Sequence, residues 1–459
     1  MLLRGYFHTL LNRKLCSPFL VRSPSSFLVS VGTHPRSTYV KNMSLGSVYN
    51  FPEEDLSDGG DAAQGFFRAW LGMQLQDGRY CIVRKLGWGA FSTVWLVRDF
   101  KAERYAALKI MTREATTRIE SGESDEIAML EKITSADSLH NGRQHLLEYH
   151  ETFKITGPQG LHHCTLTEVL GTSIEDLRLQ TEHRLPLGLI KTAIRQALLG
   201  LDYLHTCCGI VHTDIKFDNL LLRLADMPSV IAREIATSPS RTHKGFIDLN
   251  PSPYIVESQP IDIPVDSILS HLNSRQAEIV ITDMSHAQWS HHHSGDDIQP
   301  TGLRAPEVIL GHPWDQAVDV WSIGCLVVEL IAGTPLFTIN PFTKEWTLDE
   351  DHLAQMTDVL GEQFPTEMLS KSRNREKFFK EDGTFIHSAA PRHPNWHLRS
   401  FLTEESSLTG SNEQEIGAAH NFLRRCLQLQ PGDRSKAKDL AEDPWLSTDF
   451  QNESKSSNL

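Results

Sequence analysis

The stretch that most constrains this chain of 459 residues is Ile210–Asn219, which reads Ile-Val-His-Thr-Asp-Ile-Lys-Phe-Asp-Asn. It places Asp214, Lys216 and Asn219 in one short loop. Phosphoryl transfer uses these residue types together, because a carboxylate accepts the proton of the attacking hydroxyl, a cation offsets charge on the phosphoryl group and an amide oxygen binds Mg²⁺. The loop alone is also compatible with an ordinary polar turn after a helix, so its meaning depends on the segments that flank it.

A glycine-containing segment lies upstream between two predicted strands, Tyr80–Leu86 and Ser92–Val97. Gly87–Val94 fits the pattern G-x-G-x-x-G-x-V, with Ser92 at the third glycine. Glycines between strands allow backbone N–H groups to approach phosphates because no Cβ is in the way. The same glycines also fit a plain hairpin. A dinucleotide-binding fold is disfavoured, since a strand and not a helix follows them.

Two charged residues near predicted strands extend the pattern. Lys109 lies on the third predicted strand, Arg104–Ile110, and a buried lysine there needs an anionic partner, for which Glu126 on the following helix is the candidate. An exposed lysine at a sheet edge is the alternative. Asp283 follows a later apolar strand, where its carboxylate can bind Mg²⁺ together with Asn219.

The composition disfavours other classes of protein. The chain has 44 Lys and Arg against 58 Asp and Glu, a net charge of −14, which disfavours a nucleic-acid binder and permits a basic substrate. The most apolar run, Val318–Ala332, is short and contains Ser322 and Glu329, so it predicts a buried helix and no membrane span. Seven cysteines without paired spacing are typical of a reducing, intracellular compartment.

The segment 1–45 has the Arg-rich, Ser-rich and acid-poor composition of a mitochondrial transit peptide, with an unstructured tail as the alternative. Leu222–Gln276 shows little periodicity and contains Pro251, Pro253, Pro260 and Pro264. It predicts an insertion that is at best partly ordered and that is dispensable for the chemistry.

In this order the motifs resemble those of eukaryotic protein kinases, together with Arg304-Ala-Pro-Glu307, Asp319-Val-Trp-Ser-Ile-Gly324 and Arg434. The resemblance covers about residues 78–447. It implies an α+β, two-lobed fold with a small β-rich N-lobe, a larger mainly helical C-lobe and a structural ion pair between Glu307 and Arg434. The domains are then 1–45, a tail or transit peptide; 46–77, an N-terminal extension; 78–170, the N-lobe; 171–450, the C-lobe with an insertion at about 224–276; and 451–459, a polar tail.

The same resemblance implies ATP and Mg²⁺ as cofactors and assigns the site residues. Asp214 is the catalytic base and Lys216 contacts the γ-phosphate, while Asn219 and Asp283 bind Mg²⁺. Glu168–Leu170 is implied to be the hinge that holds adenine. The implied ATP-binding residues are Leu86, Gly87, Trp88, Gly89, Ala90, Phe91, Ser92, Val94, Lys109, Glu126, Glu168 and Leu170.

Four segments and the position of the insertion narrow the resemblance to the SR-protein kinases, which belong to the CDK- and MAP-kinase-like group. That subfamily phosphorylates serine in Arg-Ser repeats, so basic proteins, including Arg-Ser-rich splicing factors, are the expected partners of a monomeric enzyme in the cytoplasm or nucleus. A mitochondrial location is the alternative, through segment 1–45. The four segments are Lys85–Leu96, Glu168–Gly171, His212–Lys216 and Asp349–Ala354.

Asp351 and Asp358 are seven residues apart on a predicted helix, so their carboxylates share one face. In SR-protein kinases, matching acids belong to a groove that docks an arginine-rich segment. Thr334 stands where a further acid is expected. Ordinary exposed helix charges are the alternative interpretation.

Three positions depart from the kinase pattern. Thr213 replaces the usual arginine before the catalytic aspartate. This predicts activity without phosphorylation of the activation segment, the short loop Trp289–Thr301. Met284-Ser285 and Pro300 replace the residues more often found after the metal-binding aspartate and near the substrate. All reacting groups remain, which favours an active enzyme. The alternatives are a pseudokinase scaffold and a kinase of substrates other than SR proteins.

Overall fold

The computed structural model describes residues 53–56, 65–244, 254–265, 268, 277–338, 347–387, 397–403, 406–408 and 411–447. The predicted transit peptide, residues 1–45, and the predicted tail, residues 451–459, lie outside these ranges. The strands within them are β1 Gln74–Leu75, β2 Tyr80–Gly89, β3 Ser92–Asp99, β4 Arg104–Met111, β5 Tyr149–Gly157, β6 Gly160–Thr167, β7 Ile210–Val211, β8 Leu220–Leu224, β9 Thr242–Lys244, β10 Tyr254–Val256, β11 Ala277–Ile281 and β12 Gln288–Trp289.

The helices alternate with these strands and then dominate the C-terminal half of the chain. Within the described ranges, no helix is both long and apolar enough to cross a membrane. The helices are α1 Arg113–Glu120, α2 Glu126–Ser135, α3 Ile174–Gln180, α4 Leu187–Tyr203, α5 Met227–Thr237, α6 Pro306–Leu310, α7 Ala317–Ala332, α8 Leu348–Leu360, α9 Thr366–Ser370, α10 Arg375–Phe378, α11 Ser400–Thr403, α12 Glu413–Cys426 and α13 Ala437–Ala441.

The chain divides into two compact units. Among the described residues, the first contains those up to 115, those of 154–164 and those of 240–259, and its sheet has the strand order β1-β2-β3-β4-β6-β5. β2, β3 and β4 form an antiparallel meander, as their β-branched and aromatic composition predicts. Trp95, Leu96 and Leu108 lie at its centre and are almost completely buried.

The second unit contains residues 116–153, 165–239 and 260–459. Helix α4 buries the predicted apolar face, including Ile190, Ile194 and Leu201, and it precedes the stretch Ile210–Asn219. Helix α7 is buried on nearly every side, which is why its sequence is apolar all round. Two short antiparallel pairs, β8 with β11 and β7 with β12, position the loops between these helices.

The described residues of the predicted insertion include regular secondary structure. Helix α5 spans 11 residues, and β9 pairs with β10. Residues 240–259 belong to the first unit, where the N–H of Gln259 donates to the carbonyl of Lys85 at 2.8 Å and the Ser240 hydroxyl donates to the carbonyl of Val83 at 2.9 Å. The insertion therefore packs on strand β2, through partners that are remote in sequence.

Candidate active site

Asp319, on α7, holds the loop Ile210–Asn219 by accepting two of its backbone N–H groups. Its Oδ2 accepts the N–H of His212 at 2.9 Å, and its Oδ1 accepts the N–H of Thr213 at 2.8 Å. His205 contacts the same Oδ2 through Nε2 at 2.8 Å, and Asp319 is fully buried. Since Thr213 has a positive φ of 63°, these bonds stabilise a backbone conformation that a β-branched residue rarely adopts. The sequence D-x-W-S-x-G contained Asp319, but it did not indicate this role.

Asp214, Lys216 and Asn219 meet as the sequence predicted. Lys216 Nζ lies 2.7 Å from Asp214 Oδ2, and Asn219 Nδ2 donates to the same oxygen at 3.1 Å and to the Asp214 carbonyl at 2.8 Å. Both side-chain contacts fall on Oδ2, so Oδ1 is the oxygen placed to accept a substrate proton. Asp214 is 7% exposed, so its carboxylate is held in a largely water-shielded position.

His212 links this loop to the segment that follows β11, just before Asp283. Its Nδ1 accepts the N–H of Asp214 at 3.2 Å, so its Nε2 carries the proton that is donated to the Thr282 carbonyl at 2.9 Å. The two hydrogen bonds together orient the His212 ring between the Asp214 backbone and the Thr282 carbonyl.

The β8–β11 pair brings the two predicted metal ligands to one end of the same ladder. Ile281 pairs with Leu220, and the N–H of Thr282 donates to the Asn219 carbonyl at 2.9 Å, so Asp283 follows directly beside Asn219. Asn219 uses its nitrogen toward Asp214, which turns its amide oxygen away from that residue. A carboxylate and an amide oxygen are ligands that Mg²⁺ prefers, so the donor set fits this ion.

In the first unit, the glycine-rich hairpin and Lys109 share one face of the sheet. Gly87 is paired with Val94, and Val94 is paired with Lys109, and directly paired residues of antiparallel strands project to the same side. A Cβ added to Gly87 or Gly89 would meet nothing within 4 Å. The hairpin thus presents open backbone next to a cation, which fits a phosphate-binding lid.

The remaining predicted ATP-binding residues of the hairpin are Leu86, Trp88, Ala90, Phe91 and Ser92. Trp88 is 43% exposed and packs edge-on against Phe66 of the N-terminal extension, with ring centroids 6.2 Å apart. Ser92 is buried at the start of β3, and the other three are half-buried. The structure thus confines exposure to the tip of the hairpin.

Three predicted ATP-site residues lie in the second unit. Glu126 is buried at the start of α2, and its pairing with Lys109 stays a prediction because the two belong to different units. Leu170 is 9% exposed. The Glu168 carboxylate forms an ion pair with Arg223, so only the backbone of this residue is left to contact a nucleotide. Arg223 was not predicted as part of the site, because an arginine in a strand does not by itself indicate a role there.

The predicted structural ion pair is confirmed. Arg434 donates to both carboxylate oxygens of Glu307, at 2.5 and 2.7 Å, and both side chains are fully shielded from solvent. The arginine also lies over the Trp321 ring, 4.9 Å from its centroid.

The predicted docking acids both lie on α8, but in different environments. Asp351 is 2% exposed and accepts a hydrogen bond from Gln355 Nε2 at 3.0 Å, whereas Asp358 is half-buried. Their role in docking stays a prediction.

The chain thus combines the polar loop at Asp214, the Asn219 end of the β8–β11 pair, a glycine-rich hairpin and a buried Glu307–Arg434 pair. These are the features expected of a eukaryotic protein kinase. The protein kinase domain family matches residues 80–232 and 262–446 of the chain. The chain belongs to this family and, within it, to the SR-protein kinases, and it is a serine/threonine protein kinase.

The relatives that support this placement are spread among eukaryotes. The "Serine/threonine-protein kinase SRPK" of Physarum polycephalum is 34% identical over 80% of this chain and 85% of its own length. The "Protein kinase dsk1" of Schizosaccharomyces pombe is 28% identical over 83% of each chain, and the human "SRSF protein kinase 3" is 28% identical over 86% of this chain and 91% of its own. The crystal structure of a kinase domain matches with a TM-score of 0.59 and 24% identity, covering 83% of this chain and 99% of that one, which supports the fold alone.

Proposed function

We propose that this kinase transfers the γ-phosphate of ATP to serine in basic protein substrates, including Arg-Ser-rich splicing factors, and thereby acts in the regulation of mRNA splicing. The observation that carries the catalytic part is the convergence of Lys216 and Asn219 on Asp214 Oδ2, because a scaffold has no need to hold a lysine and an amide on one carboxylate oxygen. The net charge of −14 and the likeness to SR-protein kinases support a basic substrate.

Each residue of the loop has a definable task in this reaction. Asp214 orients the serine hydroxyl and accepts its proton at Oδ1, while Lys216 holds Oδ2 and places positive charge next to the phosphoryl group. Asn219 and Asp283 would hold Mg²⁺, which when bound neutralises charge on the phosphates. Lys109 and the open backbone of the Gly87–Val94 hairpin bind and orient the nucleotide.

The test uses the purified full chain with Mg-ATP and a serine-containing basic peptide. Asp214→Asn keeps the size of the side chain and removes its basicity, so kcat should fall by about 10²–10⁴. Asp283→Asn should weaken Mg²⁺-dependent ATP binding. Wild-type protein that binds no Mg-ATP and transfers no phosphate to several basic substrates would instead favour the scaffold role.

A location in the cytoplasm or nucleus follows from substrates of this class. Import into mitochondria through residues 1–45 would separate the enzyme from splicing factors. Imaging of the full-length chain, together with mass spectrometry of its native N-terminus, distinguishes the two locations.

A further inference from the structure

Arg223 makes a set of contacts that the catalytic assignment does not use. It lies on β8, four residues after Asn219, about 13 Å further along an extended strand. Its Nε donates to Glu168 Oε2 at 2.6 Å, a second guanidinium nitrogen, Nη2, contacts Glu168 Oε1, and Nη1 donates to Glu278 Oε2 at 3.0 Å. The same head group also bonds the carbonyls of Gln144 and Leu146, at 2.5 and 3.2 Å.

These contacts join two parts of the second unit that would touch opposite ends of a nucleotide. Glu168 begins the Glu168–Leu170 hinge segment, whose backbone is the expected adenine contact. The β8–β11 pair, on which Arg223 and Glu278 face each other, carries Asn219 and Asp283 at its end. The forked, bidentate contact with Glu168 fixes both the distance and the orientation between these parts, which a single point charge would not do.

Backbone hydrogen bonds join the C-terminal end of the hinge segment to β8. The N–H of Gly171 donates to the Leu222 carbonyl at 2.8 Å, and the N–H of Leu222 donates to the Thr172 carbonyl at 3.1 Å. These bonds hold the end of the hinge segment. Its beginning is held to β8 by the Arg223–Glu168 pair, while Glu168 itself also bonds the backbone of Glu148.

We propose that Arg223 is a positioning residue for ATP: it locks the hinge to the β8–β11 pair and so holds the adenine contact in its binding position. This inference rests on the proposed kinase function. If the ion pair only stabilised the fold, its loss would lower the free energy of unfolding and would not weaken the binding of the base more than that of the phosphates. The experiment therefore compares ligands that carry only the base or only the phosphates.

Arg223→Lys keeps the charge and loses the fork, and Glu168→Gln keeps the shape of the partner and loses its charge. Each should raise KM for ATP about tenfold with kcat nearly unchanged, because the hinge contributes equally to substrate and transition-state binding. The inhibition constant of adenosine should rise to a similar extent. That of Mg-tripolyphosphate, which has no base, should stay at the wild-type value.

Glu278→Gln is the matched control, because it removes the other carboxylate partner of Arg223 and leaves the bond to the hinge. It should leave KM for ATP unchanged. The proposal is overturned if Glu278→Gln and Glu168→Gln raise KM equally, if the variants weaken adenosine and tripolyphosphate alike, or if folded Arg223→Lys binds ATP as wild type does. A wild-type chain that binds Mg-ATP but transfers no phosphate would contradict the kinase function alone, and the binding comparison would still decide the role of Arg223.

Discussion

Lys85 Nζ lies 2.7 Å from Glu53 Oε2, and neither side chain is more than 3% exposed. Glu54 contacts the same ammonium group, and burial raises the pKa of the Glu54 carboxyl above its usual value despite that contact. Glu53 in turn accepts hydrogen bonds from the backbone and hydroxyl of Ser258, at 2.8 and 2.7 Å. One buried lysine thus joins the N-terminal extension, strand β2 and the insertion.

Replacing Lys85 with Met should strongly destabilise the first unit, because two carboxylates would remain buried without a cation. Breaking a buried ion pair in this way costs about 3–5 kcal/mol. The matched control is Arg241→Met, which breaks the pair between Arg241, 54% exposed, and Glu257 in the same insertion, and should cost about 0–1 kcal/mol. Urea unfolding of both variants measures the difference, and equal losses would contradict the importance of the buried cluster.

Deleting residues 240–259 and bridging the ends with a short linker should lower stability, although the sequence predicts an insertion that is dispensable for the chemistry. The deletion removes the hydrogen-bond donors to the carbonyls of Lys85 and Val83 and the Ser258 donors to Glu53. It also exposes Leu56 and Phe66, which pack on Ile255. A soluble deletion variant with wild-type melting temperature and activity would restore the original expectation.

The groupings that the sequence predicted lie within one short segment, and the contacts that it did not predict join residues far apart in the chain. The spacing of Asp214, Lys216 and Asn219 placed three groups within one loop, and the structure brings them onto a single oxygen. By contrast, the motif that contains Lys85 does not indicate its partner, because Glu53 lies 32 residues away. No local pattern indicates which distant carboxylate a buried lysine will meet.

The hinge illustrates the same limit inside the site itself. Glu168 was assigned to ATP by its position in the motif, but its carboxylate is held by Arg223, 55 residues later. Individual strands and helices could be predicted from periodicity because that signal repeats along an element, whereas the two-lobed fold was implied by the order of the motifs. A single ion pair between residues remote in sequence has no repeat, so it appears only when the fold brings the two segments together.

Activity should not require phosphorylation of the activation segment, because other contacts hold it. The Thr213 hydroxyl donates to the His286 carbonyl at 2.7 Å, and Trp289 Nε1 donates to Asp125 Oδ2, next to Glu126, at 2.8 Å. Phosphatase treatment should leave kcat unchanged, and a tenfold drop would contradict this prediction. Trp289→Phe, which keeps the ring but removes the donor, should lower kcat about two- to tenfold, the equivalent of 0.5–1.5 kcal/mol.

The activation segment should also confer a pH dependence on stability. Burial lowers the pKa of His293, whose ring stacks on Trp314 with centroids 3.6 Å apart. The unfolded chain therefore binds a proton more readily at this position, so the stabilisation present above about pH 6.5 should be lost as the pH falls below that value. His293→Gln should flatten the fall in melting temperature between pH 7 and 5. His292→Gln, at an exposed neighbour, should not, and identical profiles for all three proteins would contradict the assignment.

The last prediction concerns the docking of Arg-Ser substrates on α8. Asp358, half-buried, is the more accessible carboxylate, whereas Asp351 is buried against Gln355, so substitution of Asp351 also removes an internal hydrogen bond. If these acids bind an arginine-rich segment, Asp358→Asn and Asp351→Ala/Asp358→Ala should raise KM for a long Arg-Ser peptide and leave KM for a short one unchanged. Arginine should be preferred over lysine because its guanidinium fork binds a carboxylate through two hydrogen bonds, and added salt should weaken the long peptide more. Melting temperatures of both variants separate lost docking from lost packing. Equal effects on the two peptides would remove the docking role and leave the kinase assignment intact.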